Sequence, residues 1–154
     1  MEDLKRLFSK VRWTSVLALL VVIIIVALIL LNLPSRYSVQ GNIGVTASAD
    51  PGKVKIGERS TIEIEVKNLD ENEDARISIE AQTHDESFVF VKSGTKYAFE
   101  SDVLIGPEES RKVKFDVRAL TGSLPGKYRV DVTAKPENYN EGAKDVVYIT
   151  VSED

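Results

Sequence analysis

Thr61-Ile62-Glu63-Ile64-Glu65-Val66-Lys67 alternates polar and apolar side chains without a break. In a strand, successive side chains point to opposite faces. Strict alternation therefore predicts a β-strand with Ile62, Ile64 and Val66 on a buried face and Glu63 and Glu65 in water. The pattern recurs downstream in Arg76-Ile77-Ser78-Ile79-Glu80-Ala81 and in Lys112-Val113-Lys114-Phe115-Asp116-Val117-Arg118. Tyr128-Arg129-Val130-Asp131-Val132-Thr133 and Val147-Tyr148-Ile149-Thr150-Val151 complete the set. Less regular strands are expected at 43–49, 86–91 and 97–105. Turn signals separate these segments: Pro51-Gly52, Gly57-Glu58, Asn68 to Asp74, Ser93-Gly94, Gly106-Pro107, Pro125-Gly126 and Asn138 to Gly142. Seven or eight short strands with no helical period indicate an all-β, immunoglobulin-like antiparallel β-sandwich over residues 45–154.

The expected core is Ile62, Ile64, Val66, Ile77, Ile79, Val113, Phe115, Val117, Tyr128, Val130, Val132, Val147, Ile149 and Val151. Burying such side chains is worth about 1.5–3 kcal/mol each before conformational entropy is subtracted. In an immunoglobulin-type sandwich the second and fifth strands lie side by side, here 60–68 and 110–118. Their wet faces are complementary, with Glu63 and Glu65 on one and Lys112, Lys114 and Arg118 on the other. Such a face is self-satisfied and a poor place for a partner to strip water away. Tyr128 follows Pro125-Gly126 and opens a strand. Two readings fit it equally: a ring that only packs, or a tyrosine corner whose hydroxyl binds backbone.

Three runs resemble the CARDB-like immunoglobulin modules of archaeal and bacterial cell-surface proteins. Gly57-Glu58 through Asn68 is similar to their G-E opening, hydrophobic alternation and closing Asn. Ile105-Gly106-Pro107-Glu108-Glu109-Ser110 resembles their P-G-E-S turn, with Glu109 where Gly or another turn residue is usual. Pro125-Gly126-Lys127-Tyr128-Arg129-Val130 resembles their P-G-x-Y strand entry. The resemblance covers about residues 45–152. It implies an extracytoplasmic spacer, adhesion or assembly module and brings no catalytic residues with it.

Upstream, the sequence changes character. Trp13 to Leu33 reads WTSVLALLVVIIIVALILLNL, without a charge. As a helix it spans about 30 Å, the thickness of a bilayer's hydrocarbon core. This predicts one transmembrane α-helix over 13–33, stopped by Pro34, after a cytoplasmic basic tail at 1–12 and before a loose stalk at 34–44. Lys5, Arg6, Lys10 and Arg12 precede the segment, while Arg36 alone follows closely. The excess of flanking cations places the N-terminus in the cytoplasm. Arg12, Trp13, Arg36 and Tyr37 are the residues expected at the two membrane interfaces. The apolar block is longer than a signal-peptide core of about 7–15 residues, so an uncleaved signal-anchor is expected. No Gly-x-x-x-Gly pair marks a helix-dimer face, and no charge inside the segment marks an ion path.

Charge and composition narrow the function. Residues 1–38 carry net +3 and the remainder net −7, giving −4 in total. An acidic outer domain argues against nucleic-acid binding, which needs clustered Lys and Arg. There is no cysteine and a single histidine, His84, so a usual zinc ligand set is absent. His84 is expected to be a surface-loop residue, since nothing nearby marks a nucleophile and an oxyanion hole. Asp70, Glu71, Glu73 and Asp74 form the one weak Ca²⁺ candidate. They lack EF-hand spacing, and a solvated turn is the plainer reading. No cofactor, catalytic site or small-molecule substrate is expected. What remains is a membrane-anchored binding or scaffolding protein of the envelope, contacting another envelope or membrane protein. The alternative is an accessory single-pass subunit of a secretion, motility or respiratory complex. Phe88, Phe90, Tyr97 and Phe99 are the expected contact residues, provided that one or two of them are exposed.

Overall fold

The computed structural model describes residues 19–24 and 36–153. The chain divides into two units, Met1–Ser35 and Arg36–Asp154. In the first, residues 19–24 are helical and their apolar side chains are exposed. Among the described residues no helix is long and apolar enough to cross a membrane. The rest of the expected span 13–33, the tail 1–12, and with them Arg12 and Trp13, lie outside the described residues.

The second unit is all-β, with ten strands: β1 Ser38–Gln40, β2 Ile43–Asp50, β3 Lys53–Lys55, β4 Arg59–Asn68, β5 Ala75–Thr83, β6 Phe88–Phe90, β7 Tyr97–Ile105, β8 Ser110–Ala119, β9 Gly126–Pro136 and β10 Ala143–Ser152. They form two five-stranded sheets, ordered β1-β2-β4-β8-β6 and β3-β10-β9-β5-β7. The decisive alternation lies in β4, where Ser60, Ile62, Ile64, Val66 and Asn68 are buried and the residues between them are half-buried. β4 is central in its sheet and pairs antiparallel with β8 over nearly its whole length, with Ile64 opposite Val113 and Glu63 opposite Lys114. The second and fifth strands of the expected plan are thus neighbours. The core between the sheets includes Val45, Ile62, Ile64, Val66, Ile77, Ile79, Phe88, Phe90, Val117, Val130, Val132 and Ile149.

Three expectations need correction. The stalk does not extend to residue 44: β1 and β2 begin at Ser38 and Ile43, and Ile43 and Val45 are buried. Their apolar side chains gain more from the core than a polar-looking segment suggests. Second, the sandwich is not purely antiparallel. After Pro51-Gly52 the chain passes to the other sheet, and the three-residue β3 runs parallel to β10. Third, Val113, Phe115 and Tyr128 are only partly buried against the core. Tyr128 sits near the entry of β9, its ring 5.1 Å from that of Phe88 and its hydroxyl donating to Leu124 O at 2.7 Å. That bond to backbone four residues upstream settles the two readings of Tyr128 in favour of the corner.

Gly142 is required by space rather than by φ. A Cβ built there would meet the Ala134 carbonyl oxygen at 2.5 Å and Lys135 Cα at 2.9 Å. These are backbone atoms of the neighbouring strand and cannot move aside cheaply.

Candidate functional site

The segment 87–105 holds four aromatic side chains, and the fold splits them in pairs. Phe88 and Phe90 lie on β6 and are 0% and 1% exposed. Thr83 fixes this short strand by donating its hydroxyl to Phe88 O at 2.6 Å. Phe88 packs on Tyr128, and Phe90 meets Phe115 edge to face with centroids 6.0 Å apart. Both are core residues, which removes them from the expected contact set. Tyr97 and Phe99, on the sheet-edge strand β7, are 48% and 61% exposed. Their cross-strand neighbours on β5 are Gln82 and Glu80. Since Glu80 is exposed, both rings stand on the outer face of that sheet. The Tyr97 hydroxyl is held by Gln82 Nε2 at 3.0 Å.

The turn between β6 and β7 carries the chain from one sheet to the other. Gly94 adopts φ +66°, a conformation that a side chain strains, and its N–H donates to Phe90 O at 2.8 Å. Ser93 and Thr95 bind the Tyr97 carbonyl. The switch leaves a groove of about 550 Å³ between β7 and β8, floored by Phe90 and Phe115 and walled by Ala98, Phe99 and Glu100. A second groove of about 660 Å³ continues it along Glu100 to Leu104 and Arg111 to Lys114.

The neighbouring face of β4 and β8 is electrostatically closed. Lys112 and Lys114 both bind Glu63, at 2.6 and 3.1 Å. Tyr37 and Arg36, expected at a membrane interface, are placed on this face. The Tyr37 hydroxyl donates to Glu65 Oε1 at 2.7 Å, and the Arg36 guanidinium reaches Glu65 at 2.6 Å. Hydrogen bonds from Lys112 and Lys114 hold the Glu63 carboxyl below its ordinary pKa of 4.5. For Glu65 the leading cause is the Tyr37 hydroxyl, with Arg36 adding a favourable charge. A carboxyl lowered on folding stabilises fully above its unfolded pKa, and that contribution is lost as pH falls through the folded value. The urea midpoint should therefore hold steady down to about pH 4.5 and fall below it. Glu63→Gln with Glu65→Gln should flatten that acid limb, and an unchanged slope would exclude these two groups as its source.

Among the described residues, the remaining candidates are not brought together into one site. Asp70 accepts from the N–H groups of Asn72 and Glu73 and from Asn42 Nδ2, at 2.7–3.1 Å, which makes it the organiser of its own turn. Glu71, Glu73 and Asp74 are exposed. The described residues contain no group of three or more His, Cys, Asp or Glu side chains placed to hold a metal. His84 Nε2 lies 2.7 Å from Asp131 Oδ2 at the surface. The two nearest hydroxyls in sequence are engaged elsewhere: Thr83 donates to Phe88 O and Ser87 to Asp85.

Asn68 was legible only as the end of a motif. It is 1% exposed, and its Nδ2 donates to Glu73 O at 2.7 Å and reaches Ile105 O and Gly106 O at 3.3 and 3.2 Å. Its Oδ1 accepts from Asp70 N–H at 3.0 Å. It thereby ties the end of β4 to the end of β7 in the opposite sheet.

No family model matches this chain, and no curated protein matches it in sequence. Solved structures do share its fold. The CARDB domain of a Pyrococcus furiosus protein, in its solution structure, is 20% identical with a TM-score of 0.51, over 75% of this chain and 100% of that one. The same domain crystallised in complex with di-metal ions gives 20% and 0.50, over 73% and 97%. A Pseudomonas fluorescens alkylpurine DNA glycosylase bound to DNA is 11% identical with a TM-score of 0.50. It matches 72% of this chain, which spans only 30% of that protein's length. Escherichia coli alpha-2-macroglobulin is 17% identical with a TM-score of 0.54, and this chain spans 6% of its length. At such identities the likeness is one of fold: the domain is a CARDB-like β-sandwich.

Proposed function

We propose that this chain is a non-enzymatic, single-pass membrane protein whose extracytoplasmic sandwich binds or scaffolds another protein of the cell envelope. The N-terminus lies in the cytoplasm and residues 13–33 form the anchor. The uncharged apolar run and the cations ahead of it support the anchor and its direction. The observation that carries the binding role is the pair Tyr97 and Phe99, exposed at the rim of an apolar groove on a domain whose adjacent charged face is already satisfied. Exposed aromatics beside a pocket are the residues that dominate interface energies. The partner contact therefore runs through 87–105 by way of Tyr97 and Phe99.

Protease added to spheroplasts should degrade the chain beyond about residue 38 while an N-terminal tag survives. Protection of the sandwich would overturn the orientation. From detergent-extracted membranes, Tyr97→Ser with Phe99→Ser should lower partner recovery several-fold without changing the melting temperature. Glu63→Gln leaves Lys112 and Lys114 in place and should not lower recovery. The opposite pattern would refute the assignment.

A further inference from the structure

The groove between β7 and β8 is a strand-wide gap. β8 runs from Ser110 to Ala119, and β4 pairs with one edge of it as far as Arg118. On the other edge, β6 pairs only with Val117, Arg118 and Ala119. Val91 N–H donates to Asp116 O at 2.8 Å, and the chain then turns away into the opposite sheet. Among the described residues no strand pairs with the outer edge of β8 before Asp116. This explains the burial gradient along β8. Val117 and Ala119, beside β6, are fully buried, whereas Val113 and Phe115 on the same inward face are half-open.

Backbone direction alternates along a strand. Ala119 bonds toward the β4 side, through Gly57 N–H and Glu58 O, while Asp116 O points outward to Val91. The N–H and C=O groups of Lys112 and Lys114 therefore point into the gap, about 6.8 Å apart along the strand. This is the hydrogen-bonding template that an added strand needs. Inward side chains of that strand would pack beside Val113 and Phe115 and over Ala98, on the apolar floor.

We infer that the outer edge of β8, residues 110–115, accepts an extended segment of the partner, alternating apolar and acidic, as an additional β-strand. The inference rests on the binding reading above and names its mode. Charge selects the occupant. β8 carries Arg111, Lys112, Lys114 and Arg118 against Asp116 alone, and Lys112 and Lys114 share one carboxylate. Acidic outward side chains on the incoming strand would sit beside them favourably. A second copy pairing edge to edge about Val113 would instead set Lys112 against Lys114, which like-charge repulsion opposes.

The chain's own β4 shows what such a strand looks like, because Ile62-Glu63-Ile64-Glu65-Val66 already pairs with the other edge of β8. The probe is a synthetic peptide of residues 60–67, added to the full-length chain in mild detergent, with amide hydrogen exchange read by NMR. At saturation, the Lys112 and Lys114 amides should exchange at least tenfold more slowly, while a peptide carrying Lys at both Glu positions should give no protection. Lys114→Pro should abolish the protection, since proline is tolerated where an edge N–H faces outward and removes only that donor. Should that variant fail to fold, Lys112→Glu with Lys114→Glu should weaken the acidic peptide at least tenfold and admit the basic one. Unchanged amide exchange with the acidic peptide overturns strand addition. If partner recovery nevertheless falls in the Tyr97/Phe99 variant, the binding reading stands without it. Protection that grows with protein concentration and needs no peptide would mean a second copy occupies the edge, and would also overturn the inference.

Discussion

Phe88→Ala should destabilise the sandwich by about 3–5 kcal/mol, the range for truncating a fully buried aromatic. Phe88 has no exposed surface, and its ring rests on Tyr128, whose hydroxyl is pinned to Leu124 O. Removing the ring opens a cavity that two neighbouring strands and a fixed tyrosine cannot close. Typical domains hold about 5–15 kcal/mol in total, so the variant stands near its folding threshold. Urea unfolding of the full-length chain, followed by near-ultraviolet circular dichroism, should show a lower midpoint at unchanged slope. A loss below about 1 kcal/mol would mean that Phe88 is a surface residue and that the contact set has to include it again. The corresponding change at Phe99, more than half exposed, should cost little stability.

Asn68→Ala should cost about 2–4 kcal/mol, although it removes only a small polar side chain. The amide satisfies backbone groups of two segments: Asp70 and Glu73 in the loop after β4, and Ile105 and Gly106 at the end of β7. Alanine leaves carbonyls and an N–H short of partners, and each one that water does not reach, the buried Ile105 carbonyl first, costs about 1–3 kcal/mol. Asn68→Asp separates this explanation from simple packing loss. A carboxylate there would face carbonyl oxygens in a buried site, so its folded-state pKa would lie above the unfolded value. Its penalty should then be larger at pH 7 than at pH 4, the reverse of the acid limb expected from Glu63 and Glu65. Equal penalties at the two pH values would argue against the three-carbonyl geometry.

Both variants bear on what was legible beforehand. The alternating segments at 61–67, 76–81, 112–118, 128–133 and 147–151 all fall in strands, with their apolar members inward. The irregular segment 97–105 coincides with β7, and 43–49 and 86–91 coincide with β2 and β6 to within a few residues. The cross-strand partnership of Glu63 with Lys112 and Lys114 followed from fold class and charge together. The exposed pair within 87–105 was legible only as a condition on four aromatics. Nothing in the local pattern separates Phe88-Val89-Phe90, buried at every position, from Tyr97-Ala98-Phe99, two-thirds of which is exposed.

The difference is physical. Alternation reports which way a side chain points within its own strand, because that is fixed by backbone geometry two residues at a time. By itself the sequence therefore determined eight of the ten strands, the inward and outward faces of the five regular ones, most of the turns and the charge complementarity of β4 with β8. It does not report what lies beside or above the strand. Burial of Phe88 depends on Tyr128, forty residues away, and the bond that ties Asn68 to the other sheet depends on where β7 ends. The half-open state of Phe115 depends on β6 leaving the sheet after Val91. Only the tertiary structure decided which aromatics are core, that β3 joins its sheet in parallel, and that, among the described residues, no strand pairs with the outer edge of β8 before Asp116. Each of these is set by a lateral neighbour distant in sequence, and loop closure rather than local preference brings that neighbour in.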